Sequence, residues 1–354
     1  MPPGEQNVSA PPVRAGDRIG ALPDDILHHL LSFLPVQSAV RTCVLARRWR
    51  HLWKFTTGLR IVGVLRQGPV QELRKFLDHL LILRERRVLD TVEIKFSEFL
   101  KDDVPYVNLW TRCSVQWGVR ALTLHINHYE HLYLDGLPLV SKHLNILDLY
   151  GVGLQKKSLD FSCCPALKDL KMKFCEIHVH KISSCSLKCL SIIYCQSKLN
   201  CQVRVCTPCL ISLELDKFSD GSDECVLLGG ISNAKHMKLI SESDIFVFTR
   251  DLKQCPTFSK LKTLLLNEYW CMAPDLDPLA CILKNSPVLE KLTLQLFYTS
   301  GDIIEMIGSY SSVERSSAIS EHLKIVEVKF PEMDKTTRKV LKFLCTFNIR
   351  FRVE

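Results

Sequence analysis

The apolar residues of this chain follow two patterns that change over near residue 88. From residue 22 to 53 they recur at helical spacing: Ile26, Leu27, Leu30, Leu31 and Leu34 up to Pro35, then Val40, Cys43 and Val44, then Trp49, Leu52 and Trp53. This predicts three short helices. Pro23 suits the first position of the first helix, Asp24 and Asp25 complement its positive end, and Ser38 suits the cap of the second. A segment of about 40 residues has too small an interior for this many Leu, Val and Trp side chains, so some are expected to stay exposed for another surface to cover. A break at Gln67-Gly68-Pro69 and an amphipathic run through Val70, Leu73, Phe76, Leu77 and Leu80 follow, and residues 56–88 read as a connector with one helix.

From Leu89 the pattern becomes L-x-x-L-x-L. Ten copies begin at Leu89, Val119, Leu144, Leu167, Leu187, Leu210, Ala234, Leu261, Leu289 and Leu323, at spacings of 30, 25, 23, 20, 23, 24, 27, 28 and 34 residues. Alternate residues of L-x-L point to one side of a short strand, and the rest of each unit returns through a helix or irregular loop to stack on its neighbour. One unit alone has too little core, so the array must be read as a stacked solenoid. The middle spacings fall in the range of leucine-rich repeats, roughly 20 to 29 residues. Asn127, Cys175 and Cys195 stand where this repeat carries a polar residue after its strand. Irregular spacing at both ends predicts an arc with uneven turns, and the Ser-rich stretch Thr299 to Ser320 departs from a compact repeat.

Composition narrows the function classes. The chain has 354 residues, 47% of them hydrophobic, a net charge of +8 and 16 cysteines, the proportions of a globular protein rather than a disordered or collagenous one. No apolar run approaches the roughly 20 residues that cross a bilayer, so no membrane is expected. The first 16 residues hold four prolines and no apolar core, which reads as a disordered leader and not a secretory signal. The cysteines are therefore expected as thiols in a reducing compartment, cytoplasmic, nuclear or both. Basic residues are scattered, and the helix with Arg47, Arg48 and Arg50 also carries two Trp and a Leu, so a DNA reader is disfavoured and no nucleic-acid partner is expected.

One ordered, gapless run has family character: Leu22-Pro23-Asp24-Asp25-Ile26-Leu27, Ser32-Phe33-Leu34-Pro35, Ala39-Val40-Arg41-Thr42 and Val44-Leu45-Ala46-Arg47-Arg48-Trp49-Arg50-His51-Leu52-Trp53. It resembles the F-box, in the version typical of plant F-box proteins. The resemblance implies docking to a Skp-type adaptor and through it to a cullin, with the chain as substrate receptor of a ubiquitin ligase. By motif position, Leu22, Pro23, Ile26, Leu27, Leu30, Leu34, Pro35, Val44, Trp49, Leu52 and Trp53 would bear on the adaptor or on the module's own core. The order F-box, repeats and a final segment is similar to plant proteins with an FBD-type carboxy-terminal region, here carried by Cys281 to Leu294, His322 to Phe330 and the Val340-Leu-Lys-Phe-Leu helix. The expected α/β organisation is a leader over 1–16, a three-helix F-box over 17–55, the connector over 56–88, an irregular leucine-rich-repeat solenoid over 89–280 and carboxy-terminal repeats over 281–354. An adaptor-binding interaction protein outside any ligase needs the same F-box surface and stays open as the alternative.

Catalytic chemistry is hard to find. Nine cysteines lie between Cys163 and Cys209, including Cys206-Thr-Pro-Cys209, yet the nearest short pair, Cys185 and Cys189, sits at a repeat boundary. Zinc needs a second pair at suitable spacing, so no metal is expected. The histidines at 125, 128, 131, 178 and 180 show no H-E-x-x-H spacing, there is no phosphate loop or nucleophile elbow, and the acidic residues Asp216, Asp220, Asp223 and Glu224 read as a solvated loop. The chain reads as a non-enzyme without cofactor. The surface for an unknown protein substrate would be the outward side chains of the repeats, including His125, Tyr150, Lys171, Lys173, Glu214, Asp216, Asn267 and Gln295, with Tyr269, Phe297 and above all Trp270 and Tyr298 as aromatic anchors.

Overall fold

The computed structural model describes residues 19–353 apart from 64–69, 85–87, 97–101, 103, 127–131, 134–138, 156–157, 198–202, 221–226, 242–247, 249–251, 254, 272–275, 298–320, 332, 334 and 346–350. The leader, the Gln67-Gly68-Pro69 break, Asn127 and the Ser-rich stretch therefore lie outside the described residues. The amino-terminal helices are α1 (Asp24–Ser32), α2 (Val36–Arg41), a short 3₁₀ turn (Thr42–Val44) and a longer 3₁₀ helix (Arg47–Phe55). Pro23 is the cap of α1 rather than its first residue: at φ −56° and ψ 150° it is still extended, and its carbonyl accepts from the N–H groups of Ile26 and Leu27. Ser38 caps nothing. Pro35, which has no N–H to lose and a fixed φ, takes the cap position, so α2 starts two residues before Ser38.

Leu27, Leu31, Val36, Ala39, Leu52 and Trp53 close the centre of this module. The next residues correct the expected connector. Gly58–Gly63 is a strand paired in parallel with Thr91–Phe96, and α3 (Val70–Leu83) is its return, so the solenoid begins at residue 58. The join is tight: Pro35 bridges to Arg60, Arg60 Nη1 donates to the carbonyl of Phe33 at 2.7 Å, and buried Arg84 donates to the hydroxyl and carbonyl of Thr56.

All ten repeats form the strands their pattern implies, each beginning two residues after the first repeat position, as Thr91 follows Leu89 and Asp169 follows Leu167. With Gly58–Gly63 before them and Phe351–Val353 after, they make a twelve-stranded parallel sheet in simple sequence order. Its register stacks the two leucine positions into inward columns: Val92, Leu122, Leu147, Leu170, Leu190 and Leu213 in one, Ile94, Leu124, Leu149, Met172, Ile192 and Leu215 in the other. All are buried. Parallel pairing follows because every coil runs round the solenoid in the same direction.

Repeat spacing decides how each coil returns. The 30-residue unit contains α4 (Val104–Gln116) and the 28-residue unit contains a helix at Asp277–Lys284. The units of 20 and 23 residues return instead through short strands, in a three-stranded sheet (Ser158–Asp160, Lys181–Ser183, Arg204–Cys206) and a five-stranded one that includes Val152–Gln155 and Glu176–His178. This corrects the expectation of helices or irregular loops there. A strand advances about 3.3 Å per residue and a helix about 1.5 Å, so strands can close a coil that is too short for a helix.

Candidate functional site

Two exposed surfaces stand out. On the amino-terminal module, α1 turns Leu27 and Leu31 inward, and the 3.6-residue period then places Ile26 and Leu30 outward, each 46% exposed. Phe33 and Leu34 continue the patch, while Val44, 82% exposed, and Leu45 project from the turn after α2. Ile19 is also exposed. Arg48 holds the start of α1 from the side, with Nη2 2.5 Å from Asp24 Oδ1 and further bonds to the carbonyls of Gly20 and Leu22. His29 packs edge-on against Phe33 at 4.9 Å.

The motif residues therefore divide. Ile26, Leu30, Leu34 and Val44 reach solvent, and Pro23 does too. Of the two places open to them, adaptor surface or module core, Leu27, Leu52 and Trp53 take the core: they are buried on the inward side of their helices. Leu22 and Trp49 are half-buried against that core, and Pro35 is half-buried where the module meets the first strand. Phe33 and Leu45 lie in the motif run but not among its expected docking residues, and Ile19 precedes the run, although helical spacing alone puts Phe33 beside Leu30.

The second surface is the outer face of the twelve-stranded sheet. Register carries His125, Tyr150 and Lys173 along one row, and the residue just past each strand forms a second: Gly151, Phe174, Tyr194 and Lys217, all at positive φ between 50° and 67°. Their N–H groups donate to the carbonyls of Lys173, Ile193, Asp216 and Ile240, each one coil ahead. The rings meet in sequence. His125 stacks on Tyr150 at 4.0 Å, Tyr150 meets Phe174 at 5.2 Å, Phe174 stacks on Tyr194 at 5.0 Å, and Lys217 Nζ lies 5.0 Å over Tyr194. Lys173 Nζ lies 5.7 Å over Phe174.

Electrostatics differ along this face. Burial, reinforced by Lys95, holds the His125 imidazole below its ordinary value, and burial pushes the Asp148 carboxyl up against the pull of Lys171. Lys238 bridges Glu214 at 2.8 Å and Asp216 at 3.1 Å. Burial opposes ionisation of Glu214, but hydrogen bonds from Lys238 and Ser191 prevail and hold its carboxyl below the usual range.

Of the expected substrate-facing residues, the structure brings Tyr150, Lys171 and Lys173 together at the surface. Trp270 is a correction: it lies in the 3₁₀ turn Glu268–Cys271 that follows the strand Thr263–Asn267, 0% exposed and packed 4.9 Å from Phe248. Asn267 is a correction too. It is buried, its amide accepting from the N–H of Ser241 and donating to its carbonyl. Gln295 and Tyr269 are half-buried, Phe297 is exposed, and Tyr298 lies outside the described residues. Phe174, Tyr194 and Lys217 were missed, though aligning the repeats on Cys175 and Cys195 would have shown that each precedes the same repeat position.

Those two cysteines are buried, their thiols 3.4 Å from the carbonyls of Leu149 and Met172, and burial raises the Cys195 thiol well above its ordinary value. Cys206 and Cys209 are exposed. Among the described residues no group of three or more His, Cys, Asp or Glu converges to hold a metal, and no helix is long and apolar enough to cross a membrane.

Comparison with known proteins places the first surface within a known domain. The F-box domain model matches residues 19–56. The chain is 26% identical over 306 residues to an F-box/FBD/LRR-repeat protein of Arabidopsis thaliana, covering 84% of this chain and 64% of that protein. It is 32% identical over 163 residues to an FBD-associated F-box protein of the same plant, covering 44% and 39%, and 25% identical over 414 residues to an F-box/LRR-repeat protein, covering 93% and 86%. The chain thus spans less than two thirds of the length of the first two.

Proposed function

We propose, on the premise that this chain is an F-box protein, that it is the substrate receptor of a ubiquitin ligase of the Skp, cullin and F-box type. The observation that carries the reading is the aliphatic patch Ile26, Leu30, Phe33, Leu34, Val44 and Leu45, left in solvent by a module whose core is already closed. An apolar surface of this kind on a helical module is what a partner surface covers, and in F-box proteins that partner is a Skp-type adaptor. The repeat array holds the protein substrate. The chain performs no chemistry; its contribution is proximity, raising the effective concentration of substrate at the conjugating enzyme. On this reading it works in the cytosol, the nucleus or both, and residues 281–354 are its FBD-like end.

Co-purification with a Skp-type adaptor and a cullin tests this, with Ile26→Asp/Leu30→Asp as the control. Both residues are exposed, so the variant should fold and lose both partners. Capture of adaptor without cullin would favour the interaction protein outside a ligase. Capture of neither by the wild-type chain would overturn the reading.

A further inference from the structure

The aromatic ladder has features that folding does not require. Gly151 shows what the backbone wants just past the strand: its φ is +67°, and a Cβ there would lie 1.9 Å from the carbonyl oxygen of Ile126. In the next three coils the same turn carries Phe174, Tyr194 and Lys217 at φ near +50°, a conformation that costs any side-chain-bearing residue free energy. Burial offsets that cost only in part, since Phe174 and Tyr194 remain 40% and 42% exposed. Large rings held in a disfavoured backbone conformation, in solvent, on successive coils point to a role outside folding.

The chemistry of the exposed edge selects the occupant. Tyr150 lies between His125 and Phe174, Phe174 between Tyr150 and Tyr194, and the far side of Tyr194 is under Lys217. Stacking covers the faces between His125 and Tyr150 and between Phe174 and Tyr194, while Tyr150 meets Phe174 tilted at 59°, so few of the ring faces that nucleobases use for stacking are left open. What remains are ring edges, the positive part of the aromatic quadrupole. Lys95, Lys173 and Lys217 stand at this end of the strands and Lys171 one position back, and Lys95, Lys171 and Lys173 form no ion pair among the described residues. The carboxylate at the same end, Asp216, is held by Lys238. Asp148 lies in the middle row, where burial disfavours its charge. From His125 to Tyr194 the ladder crosses four coils, three strand spacings of about 4.8 Å or roughly 14 Å, a length that about four residues of an extended peptide span.

We propose that the ladder of His125, Tyr150, Phe174 and Tyr194, with Lys171, Lys173 and Lys217, seats an acidic peptide segment of the substrate, lying in extended form across the carboxy-terminal ends of the strands. Carboxylates meet the lysines and ring edges, and an apolar side chain between them rests on Phe174 and Tyr194. This deepens the receptor reading and rests on it in making the bound segment part of a substrate; the peptide site itself stands on the ladder and its lysines.

The test is fluorescence anisotropy of the full chain with a labelled decapeptide of alternating Glu and Leu, beside its Gln and Leu counterpart and a labelled single-stranded ten-nucleotide DNA. Wild type should bind the acidic peptide, and binding should weaken as salt rises. Lys171→Gln/Lys173→Gln and Phe174→Gly/Tyr194→Gly should each weaken it by about tenfold or more. The glycine pair removes the rings while relieving the backbone, so its melting temperature should hold or rise, which separates lost contact from lost fold. Failure to bind the acidic peptide, equal binding of the Gln peptide, or indifference to the glycine pair would overturn the proposal. DNA binding lost in the same variants would make the strip a nucleic-acid surface and overturn it as well. Adaptor capture on the same preparations keeps the two readings apart: peptide bound without adaptor sinks the receptor reading alone, and adaptor captured without peptide sinks this one alone.

Discussion

Leu30 on the F-box and Tyr194 on the repeats are exposed to nearly the same degree, 46% and 42%, but they reach solvent by different routes. Leu30 is exposed because geometry leaves it no interior: α1 has one inward side, and Leu27 and Leu31 occupy it. Its backbone is ordinary helix. Tyr194 is exposed because its backbone is turned into the left-handed region to pass the chain to the next wall of the coil, with its N–H committed to the carbonyl of Asp216 at 2.8 Å. The first kind of exposure marks a module too small for its apolar residues. The second marks a residue type at odds with its own conformation, and that contrast can be measured.

The largest effect should separate the two sides of α1. Leu27→Ala is expected to cost about 3 kcal/mol, a fully buried leucine being lost, whereas Leu30→Ala should change unfolding free energy by less than about 0.5 kcal/mol and weaken adaptor capture instead. Urea unfolding of both variants, with adaptor pull-down alongside, checks this; equal destabilisation would erase the distinction. On the repeats, Gly151→Ala should cost roughly 2 to 3 kcal/mol, from the positive φ and the collision with the Ile126 carbonyl. Tyr194→Gly at the equivalent position should leave the melting temperature unchanged or higher, and a large drop there would show that the ring is structural.

Smaller effects sharpen the line between wall and surface. Burial raises the Glu268 carboxyl above its ordinary value, with Lys217 pulling the other way. A raised folded-state pKa means that this contribution to stability is whole below the unfolded value and is lost as pH rises through the folded one. Glu268→Gln should therefore be the more stable protein at neutral pH and flatten the profile above pH 4.5, read by thermal unfolding across pH. The smallest change is expected at Arg48→Ala. Its pair with Asp24 is half-exposed, so the loss should stay under about 1 kcal/mol and shrink further in salt.

Much of this molecule is legible from spacing alone. The ten strands fall where L-x-L puts them, since alternation along a strand is local and each inward column needs the same pair of positions in every coil. The exposed side of α1 is nearly as legible, because 3.6 residues per turn assigns inside and outside without reference to the rest of the chain. Other assignments failed for want of a partner. Trp270 looks like an anchor in sequence, yet Phe248, 22 positions earlier, is what buries it. Asn267 looks outward by alternation, yet the peptide of Ser241 in the previous coil claims its amide.

The sequence by itself determined the order of the parts, an F-box with one surplus apolar side followed by a stacked parallel array, because both rest on periodicities set by local backbone geometry. Only the tertiary structure decided three things: that the array begins at Gly58, that the short middle coils return through strands, and that rings from four separate coils stand as one ladder. Each of these depends on which backbone carbonyl or side chain the neighbouring coil presents, and residues 20 or more positions apart in the chain carry no mark of that contact until they are stacked.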